Sequence, residues 1–494
     1  MLKRVLLGAE YSILEPLALY HLASIAKSEG WEQKIILGKG PDYKEWAEAI
    51  EDFNPSLFGL TVYTGNHLEI ADFMKKVKNK NPSMKTIAGG PHATYFPKQS
   101  QEFSDFVVVG EGFDAFRRIL KSEAGSGIIL PTKREPFPPS FRDDFYQENP
   151  KHKKNRIKNT IANTGCPYTC SHCYNSANIE EIPDFSKEQI GDLKKLYPSK
   201  RFFPIMQRPV KEVVDEISNI KKISPETEFL FIEDDIFGMN LNWLREFSKQ
   251  YEGRIPFHAN MRFELTDPRK DTGKERIDLL KKAGCTGLSF AIESADPIIC
   301  KEVLSRNTDN ELIFLVMDAM SKAGLKVRTY QMMGLPYGAT TKPTKINLEA
   351  DLETLELNVR LKEETGLPTF AWASTLAPYP GTRIANYCNK HGFYEGDFND
   401  LAGEETYRIR SVLRHPKEWV GPNLSSKKEG AWLPLEEQEI YRSQLTELMN
   451  YFPVFASIPQ GHKLAKQFLN KKEHSSAGLN KAIRTHIYDT SLFL

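Results

Sequence analysis

The chain has 494 residues, of which 40% are hydrophobic and 27% charged, with 66 Lys and Arg against 65 Asp and Glu. At roughly 100–200 residues per domain this allows two to four domains, and the composition excludes wholesale disorder and a collagen-like fibre. A net charge of +1 supplies no global basic field for nucleic acid, and six cysteines are too few for a disulfide scaffold.

The first residues, MLKRVLLGAEYSILEPLALYHLAS, place Glu10 and Glu15 inside an apolar run. That pattern reads as a strand and then a helix, not as a signal peptide. No run of about 18 apolar residues occurs, so no membrane span is expected. Residues 1–125 are expected as one domain, with strands at 3–8, 33–37, 57–62, 84–88 and 106–109. Amphipathic segments such as 67–79 lie between them, with apolar Leu68, Ile70, Ala71, Met74 and Val77. Strands alternating with helices predict a doubly wound parallel sheet, Rossmann-like and flavodoxin-like. Such sheets bind ligands at the carboxyl ends of their strands. Here those ends carry Thr64-Gly65, Gly89-Gly90-Pro91-His92 and Gly110-Glu111-Gly112. The glycines admit close backbone approach by a ligand, although tight turns alone would also account for them.

Residues 126–156, with clustered prolines and the run KHKKNR, read as a semi-rigid, solvated linker. From 157 to 399 the alternation resumes, with strands at 159–163, 228–233, 256–261, 287–292, 327–332 and 369–374. Helices are expected at 210–222, 243–251, 275–283, 310–323, 347–365 and 383–391. Six β/α units predict a partial TIM-type barrel, whose chemistry sits at the carboxyl ends of its strands. Polar residues collect there: Glu233-Asp234-Asp235, Arg262, Glu293-Ser294 and, within its strand, Gln331. Residues 400–494 break the pattern and are expected to form a small, mainly helical domain that caps the substrate. One helix is predicted at 436–451, with Ile440, Leu445 and Leu448 on one face, and another at 462–469. Trp419, Trp432, Tyr451 and Phe452 are expected to pack this domain or to line a pocket.

The strongest chemical signal is Cys166-Pro-Tyr-Thr-Cys170-Ser-His-Cys173, just after the first barrel strand. Three thiolates on a tight loop can hold three irons of a 4Fe-4S cluster and leave the fourth open. A structural zinc site would need a fourth ligand, and His172 points awkwardly for that role. A free thiol cluster also needs a reducing compartment, so a cytoplasmic location is expected. Cys285, Cys300 and Cys388 have no partner at ligand spacing and read as small buried hydrophobes.

The loop resembles that of the radical S-adenosylmethionine (SAM) superfamily, with His172 where an aromatic residue is common. The resemblance implies that Cys166, Cys170 and Cys173 bind the cluster, whose open iron chelates SAM. It also implies SAM contacts from His172, Glu233, Asp234, Arg262, Glu293, Ser294 and Gln331. Glu233 and Asp234 stand where the superfamily usually has a Gly-Gly-Glu-like segment, which is absent here. Met-Met-Gly334-Leu-Pro336 and Pro378-Tyr-Pro380-Gly381-Thr382 resemble the fifth- and sixth-strand signatures of the cobalamin-binding branch. That branch implies that Thr64, Gly65, Gly89, Gly90, Pro91, His92, Gly110, Glu111 and Gly112 meet cobalamin. The D-x-H-x-x-G motif is absent, and His21 and His92 lack its context. Cobalt without a histidine lower ligand is therefore expected.

The resemblance implies an enzyme, foremost a C-methyltransferase. A 5'-deoxyadenosyl radical would abstract hydrogen from an unactivated carbon, which then takes the methyl from methylcobalamin. A small-molecule substrate and an electron donor such as flavodoxin or ferredoxin follow, with no nucleic acid. Oxidative cyclisation or ring rearrangement with the same cofactors is the alternative. A zinc-stabilised binding module without catalysis is the remote one.

Overall fold

The computed structural model describes residues 3–140, 142–182, 184–203, 205–336, 348–396, 401, 410–416 and 432–469. By internal contacts the chain forms two units, Met1–Pro167 with Ala177–Glu233, and Tyr168–Ser176 with Asp234–Leu494.

In the first unit six parallel strands form a sheet: β1 (Arg4–Glu10), β2 (Glu32–Gly38), β3 (Leu57–Thr61), β4 (Lys85–Gly89), β5 (Phe106–Val108) and β6 (Gly127–Ile129). Their order is β2-β1-β3-β4-β5-β6. Side chains of β1 alternate between two apolar layers. Val5, Leu7 and Ala9 pack with Leu19, Tyr20 and Ala23 of one helix and Phe116 and Ile119 of another. Leu6 packs on the opposite face with Trp46, Ile70, Phe73 and Met74. Burial on both faces is why these strands read as near-continuous apolar runs. Each such side chain contributes about 1.5–3 kcal/mol on burial. The strand order reverses between β1 and β3, which opens a crevice at their carboxyl ends.

The stretch expected as an extended linker carries more structure than its prolines suggested. It supplies β6 and two short helices, Asp143–Glu148 and Pro150–Lys154. Phe145 and Tyr146 are buried against the first sheet, so apolar burial orders a segment whose composition is that of a bridge. Lys151, Lys153 and Lys154 remain exposed, as expected of a solvated run, whereas His152 is buried.

Within the same unit an ion network is almost fully enclosed. Arg142, 1% exposed, bonds Glu15 and Glu216, the latter at 2.7 Å from Nη2. Arg208 Nη2 meets the other Glu216 oxygen at 2.7 Å, and Lys158 Nζ lies 3.4 Å from Glu15. Tyr146 donates its hydroxyl to Glu15 at 2.8 Å. Burial alone would raise the Glu216 pKa, but Arg142 and Arg208 outweigh it and hold the group at about 2.

A second set of parallel strands continues the chain: β7 (Ile157–Thr160), β10 (Phe229–Ile232), β11 (Phe257–Met261), β12 (Cys285–Glu293), β13 (Lys326–Met333) and β14 (Phe370–Thr375). They take the order β14-β13-β12-β11-β10-β7, a six-stranded partial barrel. The two-residue strands β8 (Asn163–Thr164) and β9 (Met206–Gln207) pair antiparallel, and the helix Lys187–Leu196 fills part of the interval between them. Sequence periodicity did not forecast these three elements. In the second unit, helices Leu435–Ser457 and Gly461–Leu469 share one core with β14 and helix Glu349–Thr365, through Leu445, Leu448 and Phe452. Ile440, expected on the buried face, is 60% exposed, because the helix turns Tyr441 inward instead. Trp432, Tyr451 and Phe452 are packing residues, and Trp419 lies outside the described residues.

Replacing Arg142 with Ala removes the cation shared by two buried carboxylates and leaves Glu15 with Lys158 and Glu216 with Arg208. The expected loss is about 3–5 kcal/mol of unfolding free energy in urea titration, and a change below 1 kcal/mol would contradict this account.

Candidate functional site

The reversal of strand order in the first sheet is occupied by a cavity of about 330 Å³. Leu7, Gly59, Leu60, Ile87 and Val108 line it from the strands, and Leu17, His21 and Phe113 from the flanking helices. Gly89, Gly90, Pro91, Gly110, Glu111 and Gly112 form its rim, as the sequence led one to expect. A Cβ on Gly89 would meet nothing within 4 Å. Gly90 has φ +94°, and a Cβ there would lie 3.0 Å from Thr61 and 3.1 Å from the Val62 carbonyl oxygen. Only glycine holds that backbone without strain.

The wall is apolar apart from a few groups. Burial raises the Glu111 pKa to about 7, with Arg134 offsetting part of the effect, and neither carboxylate oxygen has a hydrogen bond of ordinary geometry. His21 lies 2.7 Å by Nδ1 from the Pro138 carbonyl, which can only accept, so Nδ1 carries the proton. Burial lowers its pKa to about 4, leaving it neutral at pH 7.

Thr64, Gly65 and His92 were expected at this cavity and do not line it. His92 is fully buried, stacks on His67 at 4.3 Å and takes Thr64 Oγ1 at 3.3 Å. The helix beginning at Pro91 turns the histidine inward, away from the rim. Tyr63, 53% exposed, lines the cavity instead. It lies two residues past the end of β3, and its place near a strand end was the signal available.

In the second unit the thiol loop is pinned from several sides. Ser171 N–H donates to the Leu304 carbonyl at 3.0 Å, and Ile384 N–H to the Ser171 carbonyl at 3.0 Å. Ser176 Oγ donates to the Cys173 carbonyl at 2.9 Å. In the first unit, Arg201 holds the Cys166 carbonyl at 2.9 Å. Cys166 and Cys173 are half-buried and Cys170 is buried. Among the described residues no three His, Cys, Asp or Glu side chains converge at metal-binding distance. The donor set nonetheless fits a cluster, because two guanidinium groups aim at one thiol. Arg262 Nη1 lies 3.4 Å and Arg306 Nη1 3.7 Å from Cys170 Sγ. Iron is bound through cysteine sulfur, and two cations lie beside this one.

Each guanidinium is itself held by a carboxylate. Glu264 takes Arg262 through both oxygens, at 2.7 and 3.1 Å, and accepts the Thr308 hydroxyl at 2.7 Å. Arg306 lies 3.7 Å from Glu293, which also meets His172 Nε2 at 3.4 Å. Burial would raise the Glu293 pKa; His172, Arg306 and Arg262 more than offset it and hold the pKa below the ordinary value. Glu293 ends β12 with φ +68°, beside a break in strand register, a conformation that costs a non-glycine residue energy. Arg262, expected to contact SAM, has its donors engaged by Glu264 and Cys170. Arg306, Glu264 and Thr308 belong to the site and escaped sequence reasoning, since none sits at a strand terminus.

The remaining residues assigned to SAM occupy separate positions. Burial raises the Glu233 pKa at the end of the first unit, while Asp234 is fully buried and its carbonyl accepts from Asn260 at 3.0 Å. Ser294 is buried after β12, and buried Gln331 donates to the Trp372 carbonyl at 2.9 Å while its own side-chain oxygen has no partner. Cys285, Cys300 and Cys388 are buried, and burial pushes the first two thiols up to about 12 and about 11. They behave as packing residues.

Residues 3–120 match the B12 binding domain and residues 160–338 the radical SAM superfamily. With the cysteine loop lying inside the second match, the chain is a radical SAM enzyme. An uncharacterised methyltransferase of Pyrococcus horikoshii is 26% identical over 404 residues, covering 75% of this chain and 78% of that one. Cytidylyl-2-hydroxyethylphosphonate methyltransferase of Streptomyces wedmorensis is 22% identical, covering 83% and 84%. The structure of the radical SAM methyltransferase TsrM from Kitasatospora setae, with cobalamin and a 4Fe-4S cluster bound, shares the fold at a TM-score of 0.58. It is 17% identical, over 79% of each chain. A B12-binding domain ahead of the barrel places this chain in the cobalamin-binding radical SAM family.

The end of β13 yields a pH prediction. Asp351 accepts the Gly334 N–H at 3.0 Å, and burial raises its pKa to about 7. The folded protein thus keeps a proton that an unfolded aspartate releases near pH ~3.9. Stability from this group is full below that value and is lost as pH rises towards 7. Asp351→Asn keeps an acceptor and removes the titration, so the melting temperature of the wild type should fall relative to the variant between pH 5 and pH 8. Parallel curves would show that Asp351 does not titrate there.

Proposed function

We propose that this enzyme is a cobalamin-dependent methyltransferase that adds a methyl group to an unactivated carbon of a small molecule. The observation that carries this reading is the loop Cys166–Cys173 with its cation-clamped middle thiol, in a chain whose first domain ends in a glycine-rimmed apolar cavity. Both relatives described above are named methyltransferases, which supports the outcome over cyclisation.

Cys166, Cys170 and Cys173 are assigned to the cluster. His172, Glu233, Asp234, Glu293, Ser294 and Gln331 are assigned to SAM, and Gly89, Gly90, Pro91, Gly110, Glu111 and Gly112, with Tyr63, to cobalamin. When bound, the cluster with SAM supplies a radical able to attack C–H bonds, and cobalamin supplies the methyl group. The protein's own part is to position and to exclude water. Leu7, Leu60, Ile87, Val108 and Phe113 give the cavity an apolar lining, which keeps solvent from reactive species. The bare Gly89 rim lets a flat ring approach the backbone, and a protonated Glu111 can donate to an amide carbonyl.

A low-potential donor of the flavodoxin or ferredoxin kind would supply electrons, and the reducing cytoplasm suits a cluster of three cysteine thiols. No helix among the described residues is long and apolar enough to cross a membrane.

Anaerobic reconstitution tests the reading: about four irons per chain, a cobalamin visible spectrum and a product heavier by one methylene are expected. Zinc retention without SAM cleavage would overturn it. Cys170→Ala should abolish iron retention and SAM cleavage. At the cavity, Gly89→Ala fills open space and should weaken cobalamin binding about tenfold, or ~1.4 kcal/mol, at unchanged stability. Gly90→Ala should instead destabilise the first unit by about 1–3 kcal/mol, read by urea unfolding.

A further inference from the structure

The two guanidinium groups on Cys170 serve neither as packing nor as free anion receptors. We propose that Arg262 and Arg306 are positioning residues that clamp the Cys170 sulfur and raise the reduction potential of the iron-sulfur cluster it holds, an inference that rests on the cluster reading above.

The argument begins with what each donor touches. Arg262 points Nη1 at Cys170 Sγ, while Nε and Nη2 are taken by Glu264. Its guanidinium carbon stands 3.8 Å from the centre of the Tyr168 ring, so a π-face covers the planar group. Arg306 points Nη1 at the same sulfur, and its Nη2 donates to the Ala291 carbonyl at 2.5 Å. Both side chains are buried. Arg262, buried with its donors engaged, has little freedom to swing towards a ligand carboxylate, and reaching one would break its bidentate pair with Glu264.

The order of charges also matters. Along each arm the sequence is sulfur, guanidinium, carboxylate: Cys170–Arg262–Glu264 and Cys170–Arg306–Glu293. On the Arg262 arm Nη1 meets the sulfur and the other two nitrogens meet the carboxylate, so the cation is the nearer charge although the Arg262–Glu264 pair sums to zero; Arg306 Nη1 lies 3.7 Å from the sulfur and 3.7 Å from Glu293. Reduction adds a negative charge to the cluster, and a positive field stabilises the reduced form. Hydrogen bonds to the sulfurs act in the same direction. The carboxylates orient the forks, and Thr308, donating to Glu264, orients the carboxylate. Arg306 and Thr308 lie two residues apart in the segment after β12, so one short segment braces both arms.

The test uses the full chain, reconstituted anaerobically, with Arg306→Gln, Arg306→Lys, Arg262→Gln and Arg262→Lys. Iron content, cluster midpoint potential from an electron-paramagnetic-resonance redox titration, and SAM affinity are measured for each. Each Gln variant is expected to shift the reduction equilibrium about tenfold towards the oxidised cluster, ~59 mV lower for one electron. Each Lys variant should recover most of that shift, since it keeps the charge, and SAM affinity should change less than the potential. Where a Gln variant holds too little iron to titrate, recovery of iron by its Lys counterpart supports the clamp. A potential unchanged in the Gln variants overturns it, as do Lys variants impaired as severely as Gln. Loss of SAM affinity at constant potential would make Arg262 a SAM ligand and also overturn it. A wild-type chain that assembles no cluster would instead sink the cluster reading itself.

Discussion

The buried network around Arg142 is the constraint on which the first unit depends. It gathers Glu15 from the turn after β1, Arg142 from the stretch after β6, Lys158 from β7, and Arg208 and Glu216 from the segment that follows. Coulomb attraction only partly offsets the desolvation of so many charges, so such networks contribute little net stability. Their effect lies in the penalty for any arrangement that leaves one charge unpaired. Glu15 precedes the helix that lines the cavity, and β7 precedes the cysteine loop. Fixing Glu15 against Lys158 and Arg142 therefore fixes the helix start and the strand in one register. Asn159 Nδ2, donating to the Glu15 carbonyl at 3.1 Å, secures the same junction through uncharged atoms.

A second, smaller arrangement of charge governs the thiol site. Glu264 and Glu293 each hold a cation that in turn meets the Cys170 sulfur. Strain is concentrated at Glu293, whose left-handed backbone is held by its contacts with Arg306 and His172. Backbone strain of this kind survives only where surrounding contacts over-determine it. The cavity works on the opposite principle. Its lining is mostly apolar, and burial there raises the Glu111 pKa to about 7.

Most strands were legible because burial on both faces leaves long apolar runs bounded by glycine and proline. β12 and β13 lie within three residues of the expected limits for this reason. β6 and the helices of the 126–156 stretch were not legible. Three-residue strands carry no period, and proline-rich composition hides the two aromatic anchors, Phe145 and Tyr146. At the site, the rim glycines were readable because turn chemistry is local. Thr64 and His92 misled because sequence places a residue at a strand end without saying which way its side chain turns. Ile440 misled for a similar reason: helical spacing allows two adjacent faces, and the neighbouring core chooses one.

The sequence by itself determined the three-cysteine spacing, the glycine rim and the alternation that makes two parallel sheets, since these depend on contacts within a few residues. Only the tertiary structure decided that Arg262 faces a thiol, that Arg306 joins it from 44 positions further on, and that Tyr63 replaces His92 at the cavity. Those outcomes depend on which charges and apolar surfaces distant segments bring together. A hydrogen bond or an ion pair a few ångströms long has no signature in a linear order of residues.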